Sequence, residues 1–180
     1  MTILRFNLPT LLTLSRIVLI PFFVFSVYRH PVLGALIFSI ASVTDFLDGY
    51  LARRSGEITK FGIIMDPIAD KFLVISALIV LVDMERLSAF IAILLIVREF
   101  LVTALRVVAL SKDIVIPAER GGKLKTAAQI TAVLCLILVG SIFDHLPIDL
   151  YDIGIVFVGL ALLLSVASGI QYTVSFWKRI

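Results

Sequence analysis

Six runs of about twenty mostly apolar residues take up almost the whole chain, at roughly 8–28, 32–54, 66–83, 87–111, 122–143 and 149–177. No other feature limits the fold so tightly. A hydrocarbon core about 30 Å thick is crossed by roughly 20 helical residues, and a helix satisfies its own backbone hydrogen bonds in lipid. The 180 residues leave only short connections, at 29–31, 55–65, 83–86, 112–121 and 144–149. The expected architecture is therefore all-α: a single polytopic membrane domain over residues 1–180 with six transmembrane helices. The last run is long enough to tilt or to carry an interfacial end.

Composition points the same way. Hydrophobic residues make up 61% of the chain and the mean hydropathy is +1.13, whereas soluble domains are about 45–50% apolar. The net charge of +3 is modest, and Lys and Arg flank the apolar runs without forming the continuous stripe that nucleic acid would need. Cys135, the single cysteine, sits within an apolar run and reads as a small buried hydrophobe. The first run carries Thr10, Thr13 and Arg16 with no small-residue cleavage site after it, so no cleavable signal peptide is expected. Tyr172 and Trp177 read as interfacial anchors.

If the six runs alternate in direction, Arg5, Arg53, Arg54, Lys60, Lys112, Arg120, Lys123, Lys125, Lys178 and Arg179 fall on one side. Arg29 and Arg86 fall on the other, with Asp83, Glu85, Asp144 and Asp149. The positive-inside rule makes the basic side cytoplasmic, together with both termini and the two longest connections.

The segment that carries chemistry spans residues 45–70, DFLDGYLARRSGEITKFGIIMDPIAD. Asp45 and Asp48 share a helical face near the inner end of the second run, and Asp66 and Asp70 share one at the start of the third. Four carboxylates converging at the edge of the hydrocarbon repel one another and are costly to desolvate. Divalent cations resolve both problems, and hard oxygen ligands suit Mg²⁺ or Mn²⁺. Simpler readings exist for each residue. Asp66-Pro67 also reads as a helix N-cap with proline at the first position. Asp70–Lys71 and Asp48–Arg53 also read as interfacial ion pairs, and Gly49 and Gly62 as close-packing residues. A transporter or channel also carries intramembrane acids, but such sites lie near the midplane between repeats, and here the acids cluster at one end with no repeat.

The spacing Asp45-x-x-Asp48-Gly49-x-x-Ala52-Arg53, eight residues to Gly62, three to Asp66 and three to Asp70 resembles the signature of the CDP-alcohol phosphotransferase family at all eight positions. The resemblance extends over the whole chain. It implies a six-helix homodimeric membrane enzyme with its active site on the cytoplasmic side. It implies that Asp45, Asp48, Asp66 and Asp70 hold a pair of Mg²⁺ or Mn²⁺ ions on the diphosphate of a CDP-lipid, and that Asp70 is the general base. Gly49, Ala52 and Gly62 then leave room for the cytidine nucleotide, with Arg53 at its phosphate.

A second constellation is cationic. Arg98 and Glu99 interrupt an apolar run, Arg106 follows, and then come Arg120, Lys123, Lys125 and Gln129. Arg120, Lys123 and Lys125 also read as anchors to anionic headgroups, whereas a mid-membrane Arg98 needs a polar cavity or a partner such as Glu99. Cations facing an acidic metal site suit an anionic acceptor with a phosphate. The pattern VREF…ALR…GKLKTAAQ with the opening NLPTLLTLSR resembles the bacterial branch of the family whose acceptor is glycerol 3-phosphate. That implies an inner-membrane enzyme making phosphatidylglycerophosphate and CMP from CDP-diacylglycerol, with Arg98, Arg106, Arg120, Lys123 and Lys125 around the acceptor phosphate. Inositol phosphate would also use a basic pocket. Asn7, Thr10, Thr13 and Arg16 recur every third position; they read either as lining for the nucleotide or as a helix cap at Asn7 with a snorkelling Arg16.

Overall fold

A computed structural model describes the backbone of residues 8–55, 60–111, 120–141, 147 and 149–177, and the side chains of 17–44, 71–105, 107–109, 124–141, 147 and 149–177. The described residues form six α-helices: α1 Leu8–Arg29, α2 Pro31–Ser55, α3 Lys60–Asp83, α4 Ala89–Ser111, α5 Arg120–Leu138 and α6 Leu150–Trp177. Five bounds follow the apolar runs closely. The exception is α3, which begins at Lys60, so residues 60–65 are helical and only 56–59 separate it from α2. Asp66 therefore lies inside a helix and is not its N-cap. Phe61, Ile63, Ile64 and Met65 extend the apolar run ahead of Pro67, and the helix continues through the proline.

The turns are built from local chemistry. His30 alone separates α1 from α2: its N–H donates to the Ser26 carbonyl (2.7 Å), and Pro31 opens α2 where no intrahelical donor is required. Gly34 permits the close approach of these two helices, since a Cβ there would lie 2.4 Å from Cγ2 and 2.8 Å from Cα of Val27. After α3, Glu85 adopts a left-handed conformation (φ 58°) while the N–H groups of Glu85 and Arg86 reach back to the carbonyls of Val82 and Leu81. Those two bonds make a Schellman ending. Arg86 then donates through Nη1 to the carbonyls of Leu136 (2.9 Å) and Ile137 (2.8 Å), satisfying the C-terminal end of α5. Asp149 caps α6 through the N–H of Tyr151 (2.8 Å).

These contacts also fix directions. Tyr28, near the end of α1, donates to Asp83 at the end of α3 (2.7 Å), and Arg86 joins the α3–α4 turn to the end of α5. The α1–α2 turn lies at the same end, and Gly154 near the start of α6 packs on Leu136 near the end of α5. One end of the bundle thus gathers the C-termini of α1, α3 and α5 with the N-termini of α2, α4 and α6.

α5 packs most extensively on α6, and α1 on α2 and α3. The buried stripe of α6 is Gly154, Val158, Ala161, Ser165, Ser168, Tyr172 and Phe176. Spaced by three and four, these mostly small residues let the α5 backbone come close. Between the helices lies a core including Phe23, Phe38, Leu78, Leu81, Leu95, Leu136 and Ile137, with Phe23 and Phe38 in tilted contact at 5.6 Å. Tyr172 is buried in that stripe, which does not fit an interfacial anchor, whereas Trp177 is exposed. Cys135 is half-buried rather than enclosed. Outward, large apolar side chains face the surroundings on every helix, as with Phe90 (69% exposed) and Leu163 (71%). Water disfavours such a surface and lipid suits it. Among the described residues, α6 is the helix long and apolar enough to cross a membrane; Ile17–Arg29, Pro31–Thr44 and Leu124–Leu138 are shorter apolar stretches.

Candidate active site

Asp45 and Asp48 lie on α2, Asp66 and Asp70 on α3, with their side chains outside the described residues. Their backbone positions are informative. At 1.5 Å per residue, Asp45 is about 15 Å from the end of α2 at Ser55, and Asp70 about 15 Å from the start of α3 at Lys60. Asp48 and Asp66 lie about 10 Å and 9 Å from those ends. Because α2 and α3 run in opposite directions, all four positions lie toward the same end of the bundle. All four donors are carboxylates, a set that hard divalent cations take. Among the described residues, no group of three or more His, Cys, Asp or Glu side chains is arranged to hold a metal.

The other expected positions gather at the same end by topology. Gly49, Ala52 and Arg53 lie on the last turns of α2, Gly62 on the first turn of α3 and Thr10 on the first turn of α1. Arg106 lies toward the end of α4, and Arg120 and Lys123 on the first turn of α5. The side chains of all these residues, and the whole of Asn7, lie outside the described residues.

Arg98, Glu99 and Lys125 are described in full, and they form one knot. Glu99 is 4% exposed. Its Oε1 accepts from Arg98 Nη1 (3.1 Å) and from Lys125 Nζ, and its Oε2 is 3.3 Å from Lys71 Nζ. Arg98 also donates through Nε to the Ser165 carbonyl (2.7 Å) and through Nη2 to the Ser168 hydroxyl (2.5 Å). The knot therefore joins α3, α4, α5 and α6. A buried carboxylate is tolerated when it is paired and hydrogen-bonded, and Glu99 has three cations against it.

Two expectations change here. Lys125 is not a headgroup anchor: it is 4% exposed and turned inward onto Glu99, because a buried carboxylate attracts it more than the interface does. Lys71, which the sequence offered only as a partner for its neighbour Asp70, reaches across to α4. Sequence reasoning missed Ser165 and Ser168, whose signal was their place on the small-residue face of α6. Gln129, one turn after Lys125, is buried with no partner for its Nε2 among the described residues, and the Ser165 hydroxyl is likewise unpartnered.

A family model described as CDP-alcohol phosphatidyltransferase matches residues 6–171. The chain is similar to proteins named CDP-diacylglycerol–glycerol-3-phosphate 3-phosphatidyltransferase from several bacteria. It is 38% identical to that of Bacillus subtilis, covering 97% of both chains. It is 37% identical to that of Haemophilus influenzae, covering 94% of this chain and 92% of the relative. With that of Salmonella typhimurium the identity is 44%, over 74% of this chain and 78% of the relative.

Proposed function

The chain belongs to the CDP-alcohol phosphatidyltransferase family, and on that premise we propose that it transfers the phosphatidyl group of CDP-diacylglycerol to glycerol 3-phosphate. The products are phosphatidylglycerophosphate and CMP. The observation that carries the acceptor is the 3.3 Å contact between Lys71 and Glu99, which draws a cationic knot to the residue directly after Asp70. Three positive groups against one negative leave a charge of +2 among the described residues of the knot. A phosphomonoester dianion answers that charge, whereas an uncharged alcohol does not.

In this reading Asp45, Asp48, Asp66 and Asp70 would hold Mg²⁺ or Mn²⁺, in a pair, which when bound neutralises the diphosphate and stabilises the departing CMP. Asp70 takes the proton from the acceptor hydroxyl as its oxygen forms a bond to the phosphorus bearing diacylglycerol. The bond from that phosphorus to CMP breaks. Gly49, Ala52 and Gly62 leave space for the nucleotide beside Arg53, with Asn7 and Thr10 bordering it. Arg106, Arg120 and Lys123 add positive charge at the same end, holding the acceptor phosphate away from the reacting hydroxyl.

Residues 1–180 act as one domain, with six spans in the bacterial inner membrane, both termini and the active site facing the cytoplasm, and two copies forming a homodimer. The apolar outer surface, the alternating helices and the Lys/Arg asymmetry support the topology. The test is CMP release from CDP-diacylglycerol by the purified protein in detergent, with glycerol 3-phosphate, inositol phosphate, serine or no acceptor. Release that depends on glycerol 3-phosphate is expected. Release supported equally by serine would overturn the assignment.

A further inference from the structure

Glu99 has more partners than burial alone requires. One cation would neutralise a buried carboxylate, and a second and third leave excess positive charge where it is expensive to hold. All three cations come from different positions in the bundle: Lys71 on α3, Arg98 on α4 and Lys125 on α5. Their like charges repel, and Glu99 is the group that keeps them together. Gln129 Nε2, a buried donor without a partner among the described residues, lies one turn from Lys125. Cations thus outnumber carboxylates three to one among the described residues of the knot.

We infer that Glu99 is a positioning residue for the acceptor: it gathers Lys71, Arg98 and Lys125 beside Asp70, so that their combined charge meets the acceptor phosphate. This rests on the acceptor reading above. Glu99 does not touch the reacting atoms; it acts through the cations that it holds.

Charge arithmetic gives the test. Glu99→Gln leaves three cations and no anion, +3, and their repulsion spreads them. Lys125→Met leaves +1. The double variant Glu99→Gln/Lys125→Met returns to +2. Steady-state CMP release is measured for each, varying glycerol 3-phosphate and CDP-diacylglycerol separately, on protein shown to be folded by size-exclusion chromatography and thermal unfolding. Each single variant should raise the KM for glycerol 3-phosphate about ten-fold or more, the scale of one lost charge-assisted hydrogen bond. The KM for CDP-diacylglycerol should change less than about two-fold, and the double variant should have a lower acceptor KM than either single one. If the double variant fails to fold, Glu99→Gln/Lys71→Gln restores the same charge at the more exposed corner of the knot, where Lys71 is 25% exposed. An acceptor KM in the charge-restored variant no better than in the worse single variant would overturn the role of Glu99, as would parallel changes in both KM values. Glycerol 3-phosphate-dependent release by the wild type would leave the acceptor reading standing in that case. Wild-type release indifferent to glycerol 3-phosphate overturns both.

Discussion

Arg98 on α4 and Ser168 on α6 are joined by a 2.5 Å hydrogen bond from Nη2 to the hydroxyl, and the Ser168 hydroxyl itself donates to the Leu164 carbonyl at 2.7 Å. With Nε on the Ser165 carbonyl and Nη1 on Glu99, the guanidinium spans two helices as a fixed fork. This geometry is specific to arginine, because a lysine ammonium cannot place three donors in one plane.

Arg98→Lys should therefore destabilise the protein although the charge is kept. Loss of hydrogen bonds to charged groups costs about 1.5–3 kcal/mol. Ser168→Ala removes one neutral partner and should cost about 1 kcal/mol. Thermal unfolding in detergent distinguishes them, and an Arg98→Lys protein as stable as wild type would show that the fork contributes nothing.

How much of this was legible beforehand depended on sequence distance. The apolar runs near 8–28 and 149–177 gave α1 and α6 almost to the residue, since local hydropathy alone decides them. Asp-Pro misplaced the start of α3: the pair usually marks a boundary, but the apolar residues before Asp66 continue the helix. Asp45, Asp48, Asp66 and Asp70 stood out because their signal is a fixed local spacing. The knot did not. Glu99 meets Lys71 and Lys125 across helices, and Arg98 meets Ser168 seventy positions away. No periodicity in one helix reports which face of another it meets, so Lys125 read as an acceptor-phosphate ligand or a headgroup anchor, and Tyr172 as interfacial.

Two glycines offer a clean contrast. A Cβ at Gly34 would meet the Val27 backbone at 2.8 Å, whereas nothing lies within 4 Å of one at Gly159. Gly34→Ala must push α1 from α2 and should cost about 1–3 kcal/mol. Gly159→Ala, in a helix interior with free space, should be neutral or gain about 0.5–1 kcal/mol. Equal melting temperatures for the two variants would contradict the close α1–α2 packing.

Sidedness follows from the Lys/Arg distribution and the alternating helices. In a Cys135→Ala background, cysteines placed at Ser55, the last residue of α2, and at the exposed Ser88 before α4 should label from opposite sides of sealed vesicles. Ser55→Cys should react with an impermeant maleimide only from the cytoplasmic face. Labelling of both from the same side would exclude six alternating spans.

The aspartates predict a division of labour that metal titration can read. If Asp45, Asp48 and Asp66 serve chiefly as ligands, changing one to Asn should raise the Mg²⁺ or Mn²⁺ concentration for half-maximal activity. Excess metal should then recover part of the rate. Asp70→Asn removes the proton acceptor as well as one of the four metal-holding carboxylates, so turnover should stay about 10²–10⁴-fold down even at saturating metal, the usual scale of general-base catalysis, with a smaller shift in half-saturation than Asp48→Asn. Chelation with EDTA should silence the wild type, and added Mg²⁺ or Mn²⁺ should restore it. Full activity in excess EDTA would remove the metal site altogether. Should Asp70→Asn shift the metal requirement as far as Asp48→Asn does, Asp70 is a ligand first. The proton must then leave through another group.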